Sequence, residues 1–331
     1  MMKTNHFLYR LFSVLSVAIA VFSMTACSSD SDNGQLLRDD IIKRTVGPNV
    51  AGNEIYFVYA MAVPYGTGKI QSCTVEASIT GADGTMLENN SYHSDASGFD
   101  VPVKIGEPCV NEGNKTTVTF TTDTCAAALR YYYVIPNEAK GKDVSFVFTA
   151  KSADGETVSR KMGPYHISNM DIKRDIQLTK TRCYISIENM AAYTLAEADT
   201  IKDKIDLVYL WRNKTSEGVN FGHVFAAPAA DPEWLDNIKI PDGMNNEVKI
   251  RKGELNIDTH LTDEPAYGTY IDEVDLQTID LNGFPDYAVN MKAGYGMWVE
   301  TADGKYKAYI HINSLRNISG GVISIKRLQM K

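Results

Sequence analysis

Between Gly253 and Met291 the chain carries Glu254, Asp258, Asp263, Glu264, Asp272, Glu273, Asp275, Asp280 and Asp286, and no lysine or arginine. Carboxylates are the hard oxygen ligands that calcium prefers. Asp272, Asp275 and Asp280, in IDEVDLQTIDLNGFPD, are therefore the calcium candidates, although the spacing reproduces no EF-hand loop. A solvated acidic face is the commoner fate of such a stretch, and no cofactor is required by the sequence. A glycosidase would need two carboxyl groups about 5 to 10 Å apart, one with a raised pKa, and spacing selects no pair among 41 acidic residues. The patterns GxSxG, HExxH and GxxxxGK[ST] do not occur. His93, His166, His223, His260 and His311 are scattered. The residue types point to a protein that binds rather than one that catalyses.

Aromatic side chains form the second set. A sugar ring has an apolar C–H face and a rim of hydroxyls, so a flat aromatic platform beside polar groups suits it. Trp234 lies in DPEWLDN, Tyr267 and Tyr270 in PAYGTY, and Tyr295 and Trp298 in GYGMW, where the neighbouring glycines would open the approach to a ring. These five are the candidate ligand-binding residues. The competing reading is that a tryptophan in a β domain belongs to the core, and Trp211 in IDLVYLW fits that reading best.

Positioning these groups falls to strands. EIYFVYAMAV (54–63), SCTVEASIT (72–80), TTVTFTT (116–122), LRYYYVI (129–135) and DVSFVFTAK (143–151) are rich in β-branched and aromatic residues and partly alternate. In LRYYYVI, Tyr131 and Tyr133 must face opposite to Tyr132. Asp83-Gly84, Asp154-Gly155 and Asp303-Gly304 each read as a type I′ hairpin turn, which implies antiparallel sheets. Residues 45–170 are expected to form an immunoglobulin-like β-sandwich, and residues 171–331 a second antiparallel β-rich domain with one or two short helices. Thr194 and Glu197 have capping-box spacing, and Asp231-Pro232 reads as a helix cap followed by the favoured first position. Gln35 to Asn53 reads as a spacer.

The amino terminus carries an address. Lys3 and Arg10 precede the apolar run Leu11 to Met24, which is short for a bilayer span. Met24, Thr25, Ala26 and Cys27 resemble the lipobox of bacterial lipoproteins. The resemblance implies that residues 1–26 are removed as a signal peptide, that Cys27 is lipidated, and that 27–44 form a tether. Plain secretion or an uncleaved anchor are the alternatives. The serines and aspartates of Ser28 to Asn33 resemble the export signal that sends Bacteroidota-type lipoproteins to the extracellular side of the outer membrane.

With 33 basic against 41 acidic residues the net charge is −8, which argues against a nucleic-acid partner. Cys73, Cys109, Cys125 and Cys183 lie in a chain addressed to a disulfide-permissive compartment. They are read either as one bridge within the first three or as inert buried thiols.

Ile205-Asp206-Leu207-Val208, the tryptophan segment, the Asp303-Gly304-Lys305 turn and the terminal GGVISIKRLQMK are similar to the C-terminal domain of uncharacterised Bacteroidota surface lipoproteins, which accompany glycan-uptake machinery. The resemblance implies a non-catalytic surface lipoprotein that binds an extracellular glycan for an uptake system. The alternatives are an adhesin or fimbria-like structural subunit that engages a surface protein and, behind it, a surface hydrolase.

Overall fold

The computed structural model describes residues 36–216, 218–253, 258–262, 269–316 and 320–330. Cys27 with its leader, Tyr267, Glu254, Asp263 and Glu264 lie outside the described residues.

The protein is mainly β-strand with a few short helices. Its first half contains β1 (Arg38–Arg44), β2 (Asn49–Val50), β3 (Glu54–Ala62), β4 (Ile70–Ala77), β5 (Met86–Leu87), β6 (Asn90–Ser94), β7 (Asp100–Lys104), β8 (Val110–Glu112), β9 (Lys115–Thr119), β10 (Ala126–Val134), β11 (Asp143–Ser152) and β12 (Thr157–Ser168). One sheet has the order β1-β3-β10-β5, the facing sheet β2-β12-β11-β4-β9-β8, and β6-β7 is a separate hairpin. Strand alternation puts Phe57, Tyr131 and Tyr133 of the first sheet against Phe146 and Phe148 of the second. Phe57 meets Phe146 and Phe148 edge-on, with centroids 5.0 and 5.1 Å apart. Tyr132 points outward, as the alternation of LRYYYVI requires, and pairs with Tyr56 at 5.0 Å.

Two strands occupy the expected spacer. β1 pairs antiparallel with β3, and the Glu156 carboxylate accepts the N–H groups of Leu36 and Leu37 just before it. The sequence RDDIIKR hides this strand because an edge strand tolerates, and benefits from, charge.

The second half contains β13 (Asp171–Leu178), β14 (Arg182–Ser186), β15 (Ala191–Thr194), β16 (Leu207–Ser216), β17 (Val219–Ala226), β18 (Lys249–Gly253), β19 (Tyr287–Met291), β20 (Gly296–Glu300), β21 (Tyr306–Arg316) and β22 (Gly320–Gln329). Its short helices are α1 (Leu195–Ala198), α2 (Pro232–Leu235) and α3 (Glu273–Thr278). The sheets β13-β22-β21-β20-β18 and β15-β14-β16-β17-β19 enclose a core that includes Ile185, Leu207, Phe225, Ile310, Ile323 and Ile325. α1 has the expected capping box at Thr194 and Glu197. At α2 the Asp231 side chain accepts the Glu233 N–H at 2.9 Å.

The Asp-Gly turns depart from expectation. Only the glycines take positive φ, at 95° for Gly84, 95° for Gly155 and 65° for Gly304, whereas type I′ needs it at both central residues. At 152–156 and 301–306 a hydroxyl bonds the aspartate instead: Ser152 to Asp154, and Thr301 to Asp303 at 2.6 Å. Both do close hairpins, β11-β12 and β20-β21. Asp83-Gly84 does not, because β4 and β5 belong to different sheets and the turn hands the chain across the sandwich. The four cysteines beyond Cys27 are free thiols rather than a bridge. Burial pushes the Cys73 thiol up, and that of Cys183 up to about 11.

Candidate functional site

β22 alternates between two environments. Ile323 and Ile325 enter the core between the sheets, while Lys326 and Leu328 face the other way, together with Tyr309 of β21 and Trp298 of β20. The acidic segment folds over that outer face. Leu261, Ile271, Leu276 and Leu281 cover it, and Val50 and Met170 reach in from the first half and the junction.

Asp258 and Lys326 are both fully buried there, with Nζ and Oδ2 at 2.5 Å. The Asp258 carboxylate also accepts the N–H groups of His260 and Ile271, each at 2.7 Å, and the Lys326 ammonium donates to the Ile271 carbonyl at 2.9 Å. Burial lowers the Lys326 pKa, opposed by the Asp258 charge. Burial and the Lys326 charge pull His260 down to about 4, again against Asp258. This cluster pins residues 258–260 and Ile271 of the acidic segment to β22, and the Asp258 carboxylate is fully enclosed.

The calcium candidates are engaged locally. Asp272 and Asp275 form a reciprocal capping box that starts α3: the Asp272 side chain accepts the Asp275 N–H at 2.9 Å, and the Asp275 side chain accepts the Asp272 N–H at 3.0 Å. Asp280 accepts the Asn282 N–H at 2.9 Å. Among the described residues no group of three or more His, Cys, Asp or Glu is placed to hold a metal. The spacing Asp-x-x-Asp ahead of an apolar position signals a helix start, and read that way it would have found α3.

The aromatic candidates are dispersed. Trp298 is only 9% exposed, and its ring meets Tyr309 at 4.9 Å. The neighbouring Gly296 opens no approach from outside, because a Cβ there would stand 1.9 Å from the Tyr309 hydroxyl. The missing side chain makes room for a core ring. Trp234 is half-buried and stacks on Tyr287 at 3.7 Å and on Phe221 at 5.3 Å. Tyr295 packs on the second core with the Lys252 ammonium 5.1 Å from its ring. Tyr270 lies against His260 at 4.8 Å and against Gly47 of the first half, where a Cβ would come within 2.7 Å of the ring. The expected aromatic row is thus a core ring, a sandwiched ring, a flanked ring and an inter-half contact.

What the acidic segment builds is a seam between the halves. β12 ends at Ser168 and β13 begins at Asp171, so Asn169 and Met170 are the whole connection. The Ser168 hydroxyl and the Asn169 N–H both donate to the Glu273 carboxylate, at 2.8 and 3.1 Å. Asp171 pairs with Lys140 of the first half and with Arg327 of β22 at 3.0 Å. Burial pushes the Asp171 pKa up, but both cations outweigh it and hold the carboxyl below its usual range. Met170 is fully buried.

A cleft of about 420 Å³ opens elsewhere on the second half, between Tyr209, Leu210 and Trp211 of β16 and Asp236, Asn237 and Ile238 after α2, with Lys180 and Gly320 at its border. Arg212 fixes the second wall by donating to the Glu233 carbonyl and pairing with Asp236 at 3.4 Å. Sequence reasoning assigned Trp211 to the core, yet the residue is only half-buried and borders the cleft.

These features define a two-part, mainly β protein whose halves each consist of packed sheets, antiparallel except for the short β2-β12 pair, and are joined by two residues. The chain belongs to the DUF4466 family. It is 40% identical to a DUF4466 family protein from Parabacteroides merdae ATCC 43184, over 89% of this chain and 99% of that one, with a TM-score of 0.83. The family described as Domain of unknown function (DUF4466) matches residues 34–167, and Domain of unknown function (DUF8576) matches 168–330, so the profiles meet at the seam. A variant of the major pilin subunit of Bacillus cereus aligns at 11% identity over 89% of this chain and 66% of its own, with a TM-score of 0.28. The fimbrial adhesin FimA of Actinomyces aligns at 9% over 89% and 96%, also at 0.28. Likeness of that degree carries no argument. No curated protein matches the chain.

Proposed function

We propose that this protein is a non-catalytic surface lipoprotein, held at the outer membrane through Cys27, that serves as an adhesin or structural subunit. The observation that carries the reading is the joint. Domains linked in one chain move relative to each other unless their interface is large and apolar. Here a connection of two residues, a shared apolar cluster and ion pairs on both sides of Asp171 hold the halves together. A protein that closes over a substrate needs a hinge; one that displays a binding surface at a distance from its anchor needs stiffness.

On this reading the first half is an immunoglobulin-like sandwich. What supports it is neighbour order: taking β1-β3-β10-β5 as A-B-E-D and β12-β11-β4-β9-β8 as G-F-C-C′-C″ reproduces the variable-type arrangement in space, although in the chain β5 comes earlier and β8 precedes β9. Capture of an extracellular glycan for an uptake system is the second reading, and the Trp211 cleft favours it.

The test uses intact cells. External protease should remove the wild-type protein, Cys27→Ala should release it from the membrane fraction, and cells lacking the protein should lose attachment or aggregation. Digestion only after lysis would sink the surface assignment; unchanged attachment would sink the adhesive one.

A further inference from the structure

We propose that the cleft between Trp211 and the segment Asp236 to Ile238 binds a neutral saccharide, with a sugar ring on the indole and its hydroxyls bonded by Asp236, Asn237 and Lys180. The assignment rests on the glycan reading and is independent of the adhesive one.

The cleft volume, about 420 Å³, falls within the roughly 300–1,000 Å³ of small-molecule sites. Its lining is mixed: Leu210, Trp211 and Ile238 supply apolar surface, and Lys180, Asp236 and Asn237 supply donors and acceptors. A hydrocarbon ligand would strand those polar groups. A phosphate would need uncommitted cations, yet the Arg212 guanidinium is already spent on Asp236 and on the Glu233 carbonyl. One ammonium beside a carboxylate that is itself paired gives a site with little net charge, and a polyhydroxylated ring satisfies it.

Two further observations point to this cleft. Trp234 stacks on two aromatic rings and Trp298 meets one edge-on, whereas among the described residues no aromatic ring contact is made by Trp211. Its ring is available to a ligand in a way the other two are not. Asp236 also sits at φ 51°, ψ −118°, a backbone region in which a non-glycine residue is strained. Its N–H is tied to the Pro232 carbonyl at 3.0 Å, so the strained turn is held. An aspartate where the backbone favours glycine places a carboxylate on the cleft wall.

The test is saturation-transfer NMR and titration calorimetry on residues 34–331, which retain every described element, with cellotriose, maltotriose, xylotriose and triacetylchitotriose as probes. At least one probe should bind the wild type. Trp211→Ala should weaken it by about tenfold or more, and Trp211→Tyr should retain most of the affinity. Asn237→Ala, on the exposed rim, should weaken it without altering the urea midpoint, which separates lost binding from lost folding. If no probe binds the wild type, the glycan reading and the cleft fall together. If a probe binds but Trp211→Ala and Asn237→Ala leave its affinity unchanged, the cleft alone is overturned.

Discussion

Replacing Lys326 with methionine removes one charge from a pair that has no access to water. Asp258 and Lys326 are each 0% exposed, and the carboxylate would keep the His260 and Ile271 N–H groups but lose its cation. Breaking a buried pair by removing one partner costs about 3–5 kcal/mol, because the remaining charge is uncompensated. That is a large share of the about 5–15 kcal/mol that holds a domain together. Lys326→Met combined with Asp258→Asn should recover part of the loss, since the amide oxygen can still accept an N–H and no charge is stranded. Urea unfolding of residues 34–331, followed by circular dichroism, reads both variants from midpoint shifts at constant slope. A single variant within about 1 kcal/mol of wild type, or a double variant less stable than the single one, would refute the reasoning.

Two buried groups give stability opposite dependences on pH. Burial, with the Asp303 and Glu188 carboxylates nearby, raises Asp206 to about 7 even though it accepts the Ile187 N–H. The folded state therefore holds a proton that the unfolded state has released, and stability should fall as pH rises from about 4 to 7, by at most about 4 kcal/mol. Asp206→Asn, which keeps an acceptor for Ile187, should abolish that slope in urea midpoints taken across the range. His260, held neutral down to about 4, does the reverse: its contribution is complete above about 6.5 and is lost as pH falls toward 4. His260→Gln should flatten the acid limb of the same curve. At Gly47, whose Cβ would meet the Tyr270 ring at 2.7 Å, Gly47→Ala should cost about 1–3 kcal/mol and speed amide exchange at Met170; unchanged exchange would mean that the seam gives way easily.

Local chemistry was legible in the sequence where one segment decides its own structure. The caps at Thr194 and Asp231, the alternation of Tyr131 to Tyr133 and two of the three Asp-Gly hairpins are such cases. What failed depended on distant partners. The acidic segment has no basic residue of its own, and the lysine that neutralises Asp258 lies 68 positions away on β22. Trp298 and Gly296 read as an open platform until Tyr309 from the adjacent strand fills the space. Trp211, in the most strand-like of the tryptophan segments, reads as core because nothing local reveals that β16 borders a cleft. Charge concealed β1, since an edge strand is paired on one side only.

The claim on which the account turns is that the two halves behave as one body. Differential scanning calorimetry of residues 34–331 tests it directly. A seam built from Met170, Glu273, Asp171 and the shared apolar cluster predicts one transition, with calorimetric and van't Hoff enthalpies in agreement. Two separated transitions, each with the enthalpy of one half, would contradict it.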